Sequence, residues 1–301
     1  FFAFTIGNLL LNISSPNSYE PFILISLLFS VALIPILLTK RKPPTFKKTS
    51  SIRIKELLKI SPFGSFSMFC TGFIFAAMFA MLSVYAVTMN LTVFEISILL
   101  VGTTLAGAIF QWPIGYLSDK YDRRVIVIGC CISSFIFGVL SIMSSGIYFE
   151  SLVAEEMVRF NYFSSDGNMN KTNLCIFIIL LSGTTLPMFA LNLALVNDYI
   201  PKEKFVAAGA GLNIIFGLGA MAGPIICSIL MSLLGPNGFF IHLFIFLLAI
   251  IFFGIYRVNK REYEDNREST FTPLTREITP LGIELDPDTG VDLSNTLNDK
   301  K

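Results

Sequence analysis

Charge is what this sequence has least of. Asp, Glu, Lys and Arg make up 14% of its 301 residues, against roughly 25% in soluble domains. No charged side chain stands near the middle of any of its long apolar runs, so a water-soluble domain is excluded. Histidine and tryptophan occur once each, at His242 and Trp112. That leaves almost no material for a histidine metal centre or a Ser-His-Asp arrangement. G-x-S-x-G, H-E-x-x-H and the phosphate-cradling G-x-x-x-x-G-K-[ST] are all absent, which argues against a hydrolase of those classes and against an ATP-driven pump within this chain. The five cysteines lie inside apolar runs and form no C-x-x-C pair. They read as free buried thiols, neither a metal site nor a disulfide framework. Net charge is +1, so no global field points to a nucleic-acid partner.

What fills the chain instead is apolar: 53% hydrophobic residues, with 30 Phe. These gather into uncharged runs long enough to cross hydrocarbon. The chain opens at Phe1, without a Met and inside an apolar half-span (1–11), and so reads as a fragment lacking its N-terminal part. A polar turn (12–20) leads to a span at 21–39. One long helix is expected over 62–88, the next over 93–117, then spans at 125–149, 172–197, 205–234 and 239–256. That makes seven complete spans and a half: an all-α integral membrane protein. Between 146 and 172 runs a longer polar connection, in which 151–163 has the pattern of a short amphipathic helix. The tail from 257 onward carries ten acids and few apolar residues, a composition that does not pack into a core.

The few charges are placed in alternation. Loop 40–61 holds Lys40, Arg41, Lys42, Lys47, Lys48, Arg53, Lys55 and Lys59 against a single acid, Glu56. Loop 118–124 holds Lys120, Arg123 and Arg124, and loop 198–204 holds Lys202 and Lys204. The alternate connections hold only Arg159 and Lys171. Basic loops stay in the cytoplasm, so 40–61, 118–124, 198–204 and the tail are expected there, in a multi-pass cell (inner) membrane protein. Residues 52–60 suit a surface helix. Each basic group near an anionic leaflet contributes about 1 kcal/mol, so a lipid contact at 40–61 stands beside a pure topology role.

The chain is organised around Gln111-Trp112-Pro113-Ile114-Gly115-Tyr116-Leu117-Ser118-Asp119-Lys120-Tyr121-Asp122-Arg123-Arg124. Gly115 allows close helix approach. Asp119 and Asp122 precede a helix, where carboxylates cap free N–H groups. The spacing G-x-L-S-D-K-x-D-R-R resembles the signature loop of the major facilitator superfamily, with Asp122 in place of that pattern's second glycine. The Q-W-P-x-G start and D-R-R finish resemble one bacterial branch of it.

The resemblance implies a major facilitator fold with twelve helices in the parent protein. Residues 1–39 would then be the remnant of helix 5 and helix 6, and 40–61 the linker between halves. Residues 62–256 would be the six-helix second bundle (helices 7–12), and 257–301 a mobile tail. It further implies secondary transport of a small solute by alternating access, with no enzymatic activity and no cofactor. Proton-coupled efflux is one form of such transport. The expected partners are the solute, the bilayer and protons, and the expected state is a monomer. Gly115, Asp119, Lys120, Asp122, Arg123 and Arg124 would form the gating motif.

Thr71, Thr103, Thr104, Thr184, Thr185 and Asn213 are mid-depth polar residues. Each either lines a cavity or bonds its own or a neighbouring helix. Gln111 and Asn192 are either helix–helix glue or gate residues. Glu95 and Asp198 sit at opposite span edges, as weaker candidates for a proton carrier than residues upstream of this chain. His242 reads as an interfacial hydrogen-bonder rather than a proton relay, and Tyr85 as an interface anchor. Gly219 and Gly223 form a small-residue packing face. The competing reading is a non-transporting membrane sensor or scaffold that signals through its tail.

Overall fold

The computed structural model describes residues 6–7, 19–38, 53–145, 170–201 and 204–260. The half-span at the start, most of the basic linker, the 151–163 segment and the tail lie outside these residues. Among the described residues all regular elements are helices. They are α1 (Glu20–Leu38), α2 (Ile54–Ile60), α3 (Pro62–Thr88), α4 (Val93–Lys120), α5 (Arg123–Ser144), α6 (Lys171–Thr185), α7 (Met188–Asn197), α8 (Phe205–Leu234) and α9 (Gly238–Lys260).

Six helical stretches are long and apolar enough to cross a membrane: α3, α4, α5, α6–α7 taken together, α8 and α9. α1, the seventh expected span, is a 19-residue helix whose apolar section, Phe22–Ile34, is shorter. Two expected boundaries shift. α4 continues past Leu117 to Lys120, so only Tyr121 and Asp122 separate it from α5. The expected 172–197 span is present as one bilayer-length stretch, divided into two helices at Leu186 and Pro187. Pro187 has no N–H to donate and its ring crowds the preceding turn. The ladder stops with Leu186 N–H on the Ser182 carbonyl at 2.9 Å and restarts with Leu191 N–H on the Pro187 carbonyl at 3.0 Å.

Helix ends explain how the chain reverses. After α3, Asn90 takes a left-handed φ of 53°. Its N–H reaches the Val87 carbonyl at 2.9 Å, and the Leu91 N–H reaches the Ala86 carbonyl at 3.1 Å. This is a Schellman ending, which satisfies the last free carbonyls. Thr92 then opens α4 with a capping box. The Glu95 carboxylate accepts from Thr92 N–H at 2.7 Å, and Thr92 Oγ1 accepts from Glu95 N–H at 3.3 Å. Lys171, at the start of α6, donates to the Asn90 carbonyl at 3.0 Å. The α3–α4 turn and the α6 start are therefore fastened at one end of the bundle. Tyr85 is at the same end but is not an interface anchor. It has no exposed surface and packs on Phe239 and Phe240 of α9, with ring centroids 5.2 and 5.3 Å away.

α3 and the α6–α7 pair are the interior helices, and α4, α5 and α8 are far more exposed. One apolar core joins α3, α5, α6, α7 and α9, with Leu99 of α4 and Cys227 of α8, and a second joins α2, α3, α7 and α8. In lipid, packing rather than water exclusion holds helices together, so close backbone approach matters. It is closest between α3 and α8. A side chain at Gly72 would meet the Phe216 carbonyl, one at Gly219 the Phe69 carbonyl, and one at Gly223 the Phe73 carbonyl at 2.7 Å. The expected Gly219–Gly223 face thus lies against α3 backbone. Leu57 of the short α2, with no exposed surface, fills the notch over Gly211 and seats α2 on α8.

Gly217 lies on the open side of α8, where an added Cβ would meet only free space. Gly219→Leu should therefore cost about 1–3 kcal/mol through overpacking, while Gly217→Leu stays near neutral. Detergent-solubilised thermal unfolding of the two variants checks this.

Candidate functional site

The charged residues at the other end of the bundle converge on Arg123. As the first residue of α5 it would be expected in water, yet it has no exposed surface. Its Nη2 donates to Asp119 Oδ1 at 3.2 Å, one turn earlier in the chain. Its Nε lies 3.1 Å from Oδ2 of Asp198, just past the end of α7. That second contact is close in distance but off the N–H direction, since it is not a formed hydrogen bond. It acts as charge attraction. One guanidinium therefore ties α4, α5 and α7.

The two pairs are unequal. The Asp119 side chain is 32% exposed and that of Asp198 4%. Water screens the first pair, which contributes little beyond geometry. The second is buried, where neither charge is tolerable without the other. Asp119 lies in the last turn of α4 and does not cap α5. The cap is Asp122, whose carboxylate accepts from Arg124 N–H at 2.9 Å and from Arg124 Nε at 3.0 Å, with Nη2 2.9 Å away. The residue that departs from the glycine of the superfamily pattern thus starts α5 and holds Arg124. Lys120 turns back over the Tyr116 ring, 4.3 Å from its centroid. Gly115 is buried, and its carbonyl accepts from Ser118 Oγ at 2.9 Å. The arrangement is a set of ion pairs and a helix cap that joins three helix ends. Among the described residues no cluster of three His, Cys, Asp or Glu could hold a metal ion.

Asp198 is the partner that sequence reasoning misses. The one signal for it is an acid directly after an uncharged span, on the same basic side as the signature loop. Glu95, its counterpart at the far end, is engaged in the capping box and lies 3.8 Å from Lys171.

The mid-depth hydroxyls turn largely inward. Thr71 Oγ1 donates to the Ser67 carbonyl at 2.7 Å, Thr103 to Leu100 at 2.8 Å, Thr104 to Val101 at 2.9 Å, Thr184 to Leu181 at 3.0 Å and Thr185 to Leu181 at 2.7 Å. All five are buried, and Asn213 is half-buried. Two clusters emerge that spacing does not suggest. Ser134 of α5 meets Thr184 at 2.7 Å and Thr185 at 3.1 Å, beside the α6–α7 break. Asn192 of α7 donates to Thr71 of α3 at 3.0 Å, while its own carbonyl oxygen and the Ser67 hydroxyl are buried without a partner among the described residues. Gln111 is also buried. His242 is not interfacial. It is fully buried, with Nε2 3.3 Å from the Phe73 carbonyl.

A bundle of six bilayer-length helical stretches, tied at one end by ion pairs, defines a polytopic membrane protein. The Major Facilitator Superfamily model matches residues 1–157 and, in a second match, 89–285. This chain belongs to that superfamily. It is 27% identical over 155 residues to the "Uncharacterized MFS-type transporter YfkF" of Bacillus subtilis, covering 51% of this chain and 33% of that one. It is 21% identical over 252 residues to the "Uncharacterized MFS-type transporter YcaD" of Escherichia fergusonii, covering 82% of this chain and 59% of that one. A Yersinia pestis "Uncharacterized MFS-type transporter" is 22% identical over the same length. The chain thus spans between a third and three fifths of the length of these relatives. No solved structure gives a significant match.

Removing one member of the buried pair strands the other. Asp198→Ala or Arg123→Ala should each cost about 3–5 kcal/mol, and the double variant Arg123→Met/Asp198→Leu much less than their sum. A double-mutant cycle of unfolding free energies reads the coupling.

Proposed function

We propose that the full-length protein is a secondary transporter that moves a small solute by alternating access, and that the Asp119–Arg123–Asp198 ion pairs lock its cytoplasmic side. The observation that carries this reading is the fully buried Arg123 guanidinium, held between an exposed-edge carboxylate and a buried one on a different helix. Such a contact suits a two-state element. It is strong when dry, and it is lost abruptly if the helix ends separate and water enters. In this reading 1–39 belongs to the first bundle, 40–61 is the linker, and 62–256 is the second bundle that rocks against the first.

The α6–α7 break and its Ser134–Thr184–Thr185 hydroxyls lie at mid-span, where interrupted helices commonly border a binding site. We assign Thr71, Thr184, Thr185, Asn192 and Asn213 as polar positions bordering the solute path. Few polar groups in a Phe-rich interior favour an amphipathic solute, exported with protons as the coupling ion. Neither Glu95 nor Asp198 is assigned as the proton carrier, because each already serves a structural contact.

The test is flux in proteoliposomes holding the full-length protein, with a fluorescent amphipathic dye and a panel of small solutes. Asp119→Asn and Gly115→Leu should abolish flux while leaving membrane insertion and folded yield intact. Unchanged flux in both would remove the gating role. An absence of flux above empty liposomes for every solute would contradict the transporter reading.

A further inference from the structure

The short helix α2 sits against the end of the bundle where α3 and α8 begin, and two contacts fix how it lies. Leu57 has no exposed surface and fills the notch over Gly211, less than two turns past the start of α8. The Leu57 carbonyl accepts from Ser65 Oγ, in the first turn of α3, at 3.3 Å. α2 is thereby held level with the first turns of two membrane-length helices, the depth at which hydrocarbon gives way to headgroups.

With one face pinned, helix geometry places the others. Successive residues step by about 100°, and residues four apart share a side. Lys55 and Lys59 therefore lie on the side away from Leu57. Ile54 and Leu58 form one flank between these two sides, and Glu56 stands on the opposite flank. The exposures agree. Ile54 is 36% exposed and Leu58 45%, and Lys55, Glu56 and Lys59 are exposed as well. Glu56 lies 3.7 Å from Lys204, the residue before α8. Neither Lys55 nor Lys59 has an acidic partner among the described residues.

We propose that α2 lies in the headgroup layer of an anionic leaflet as an interfacial helix. Ile54 and Leu58 enter the acyl boundary, Glu56 faces water, and Lys55 and Lys59 contact the phosphodiesters of lipids beside the bundle. Such helices bind through buried apolar area together with attraction to anionic headgroups. The apolar flank selects a lipid surface over an acidic protein or a free anion, since either of those would engage the lysines and leave Ile54 and Leu58 in water. The unpaired lysines select an anionic leaflet over a zwitterionic one. Through Leu57 and Ser65, lipids that hold α2 also hold the starts of α8 and α3. The proposal needs the bundle to span a membrane and does not need it to transport.

The experiment places the photocrosslinking residue p-benzoylphenylalanine at position 58 or 56 of the full-length protein, in nanodiscs of equal phosphatidylglycerol and phosphatidylcholine. Both positions are exposed, so the bulky side chain leaves the packing intact. Mass spectrometry of the α2 peptide identifies the lipid adducts. Adducts should form from position 58, with phosphatidylglycerol in excess, and be rare from position 56. Lys55→Gln should lower that excess about fivefold, the weight of one basic group at a membrane surface, and Lys55→Arg should keep it. Similar lipid adducts from both positions, or none from position 58, would overturn the orientation and the proposal with it. Equal labelling of the two lipids would overturn the anionic contact. So would an equal loss of the excess from Lys48→Gln, because that would mark diffuse attraction by the linker. The readout does not use flux, so its failure and the failure of the transport reading are separate results.

Discussion

A guanidinium with no exposed surface must be neutralised where it lies, and that requirement organises one whole end of this bundle. Arg123 cannot bond its own helix, because α5 begins with it. It therefore recruits Asp119 from the preceding helix and Asp198 from beyond α7. The three helix ends can be brought together only if the turn between α4 and α5 is very short. Asp122 makes that possible by capping α5 two residues after α4 ends. The capped turn, the buried cation and the acid after α7 depend on one another, and removing any of them exposes or strands the others.

The opposite end is held differently. There the chain uses a Schellman turn, a capping box and a half-exposed Lys171–Glu95 contact at 3.8 Å, none of which buries a charge. Surface contacts of this kind are weak and screened. The asymmetry is one of charge: one end buries an ion pair, and the other is closed by caps and by the packing of Tyr85 on Phe239 and Phe240. Between them the α3–α8 contact is rigid, backbone on backbone over Gly72, Gly219 and Gly223, while the α6–α7 pair is interrupted at Pro187.

Much of the fold is legible from hydrophobic runs, because a lipid solvent leaves a helix few alternatives. The limits of α3 and α8 coincide with the uncharged segments. The α6–α7 break is not legible, since Pro187 lies in an unbroken apolar run and proline inside a membrane helix is compatible with either a kink or a stop. Burial is the harder quantity. Tyr85 and His242 stand near a span end, where aromatic and polar side chains commonly meet the interface, but α9 packs across the first and carries the second into the interior. By charge the loop arginines read as topology markers, and by the resemblance as part of a gating motif. The buried pairing of Arg123 with Asp198, 75 positions further along, is given by neither, since no local spacing connects the two. Its charge and its place at a span edge are readable from the chain, and its partner is a tertiary fact.

The most direct measurement is amide hydrogen exchange of the full-length protein carrying Asp119→Asn. If the carboxylates and Arg123 form one unit, weakening the α4 side must loosen the far side as well. Exchange should then rise at Val196–Ile200 together with Tyr121–Val125, while the Thr88–Glu95 turn at the other end stays unchanged. Faster exchange confined to Tyr121–Val125, with Val196–Ile200 as protected as in the parent protein, would contradict the account.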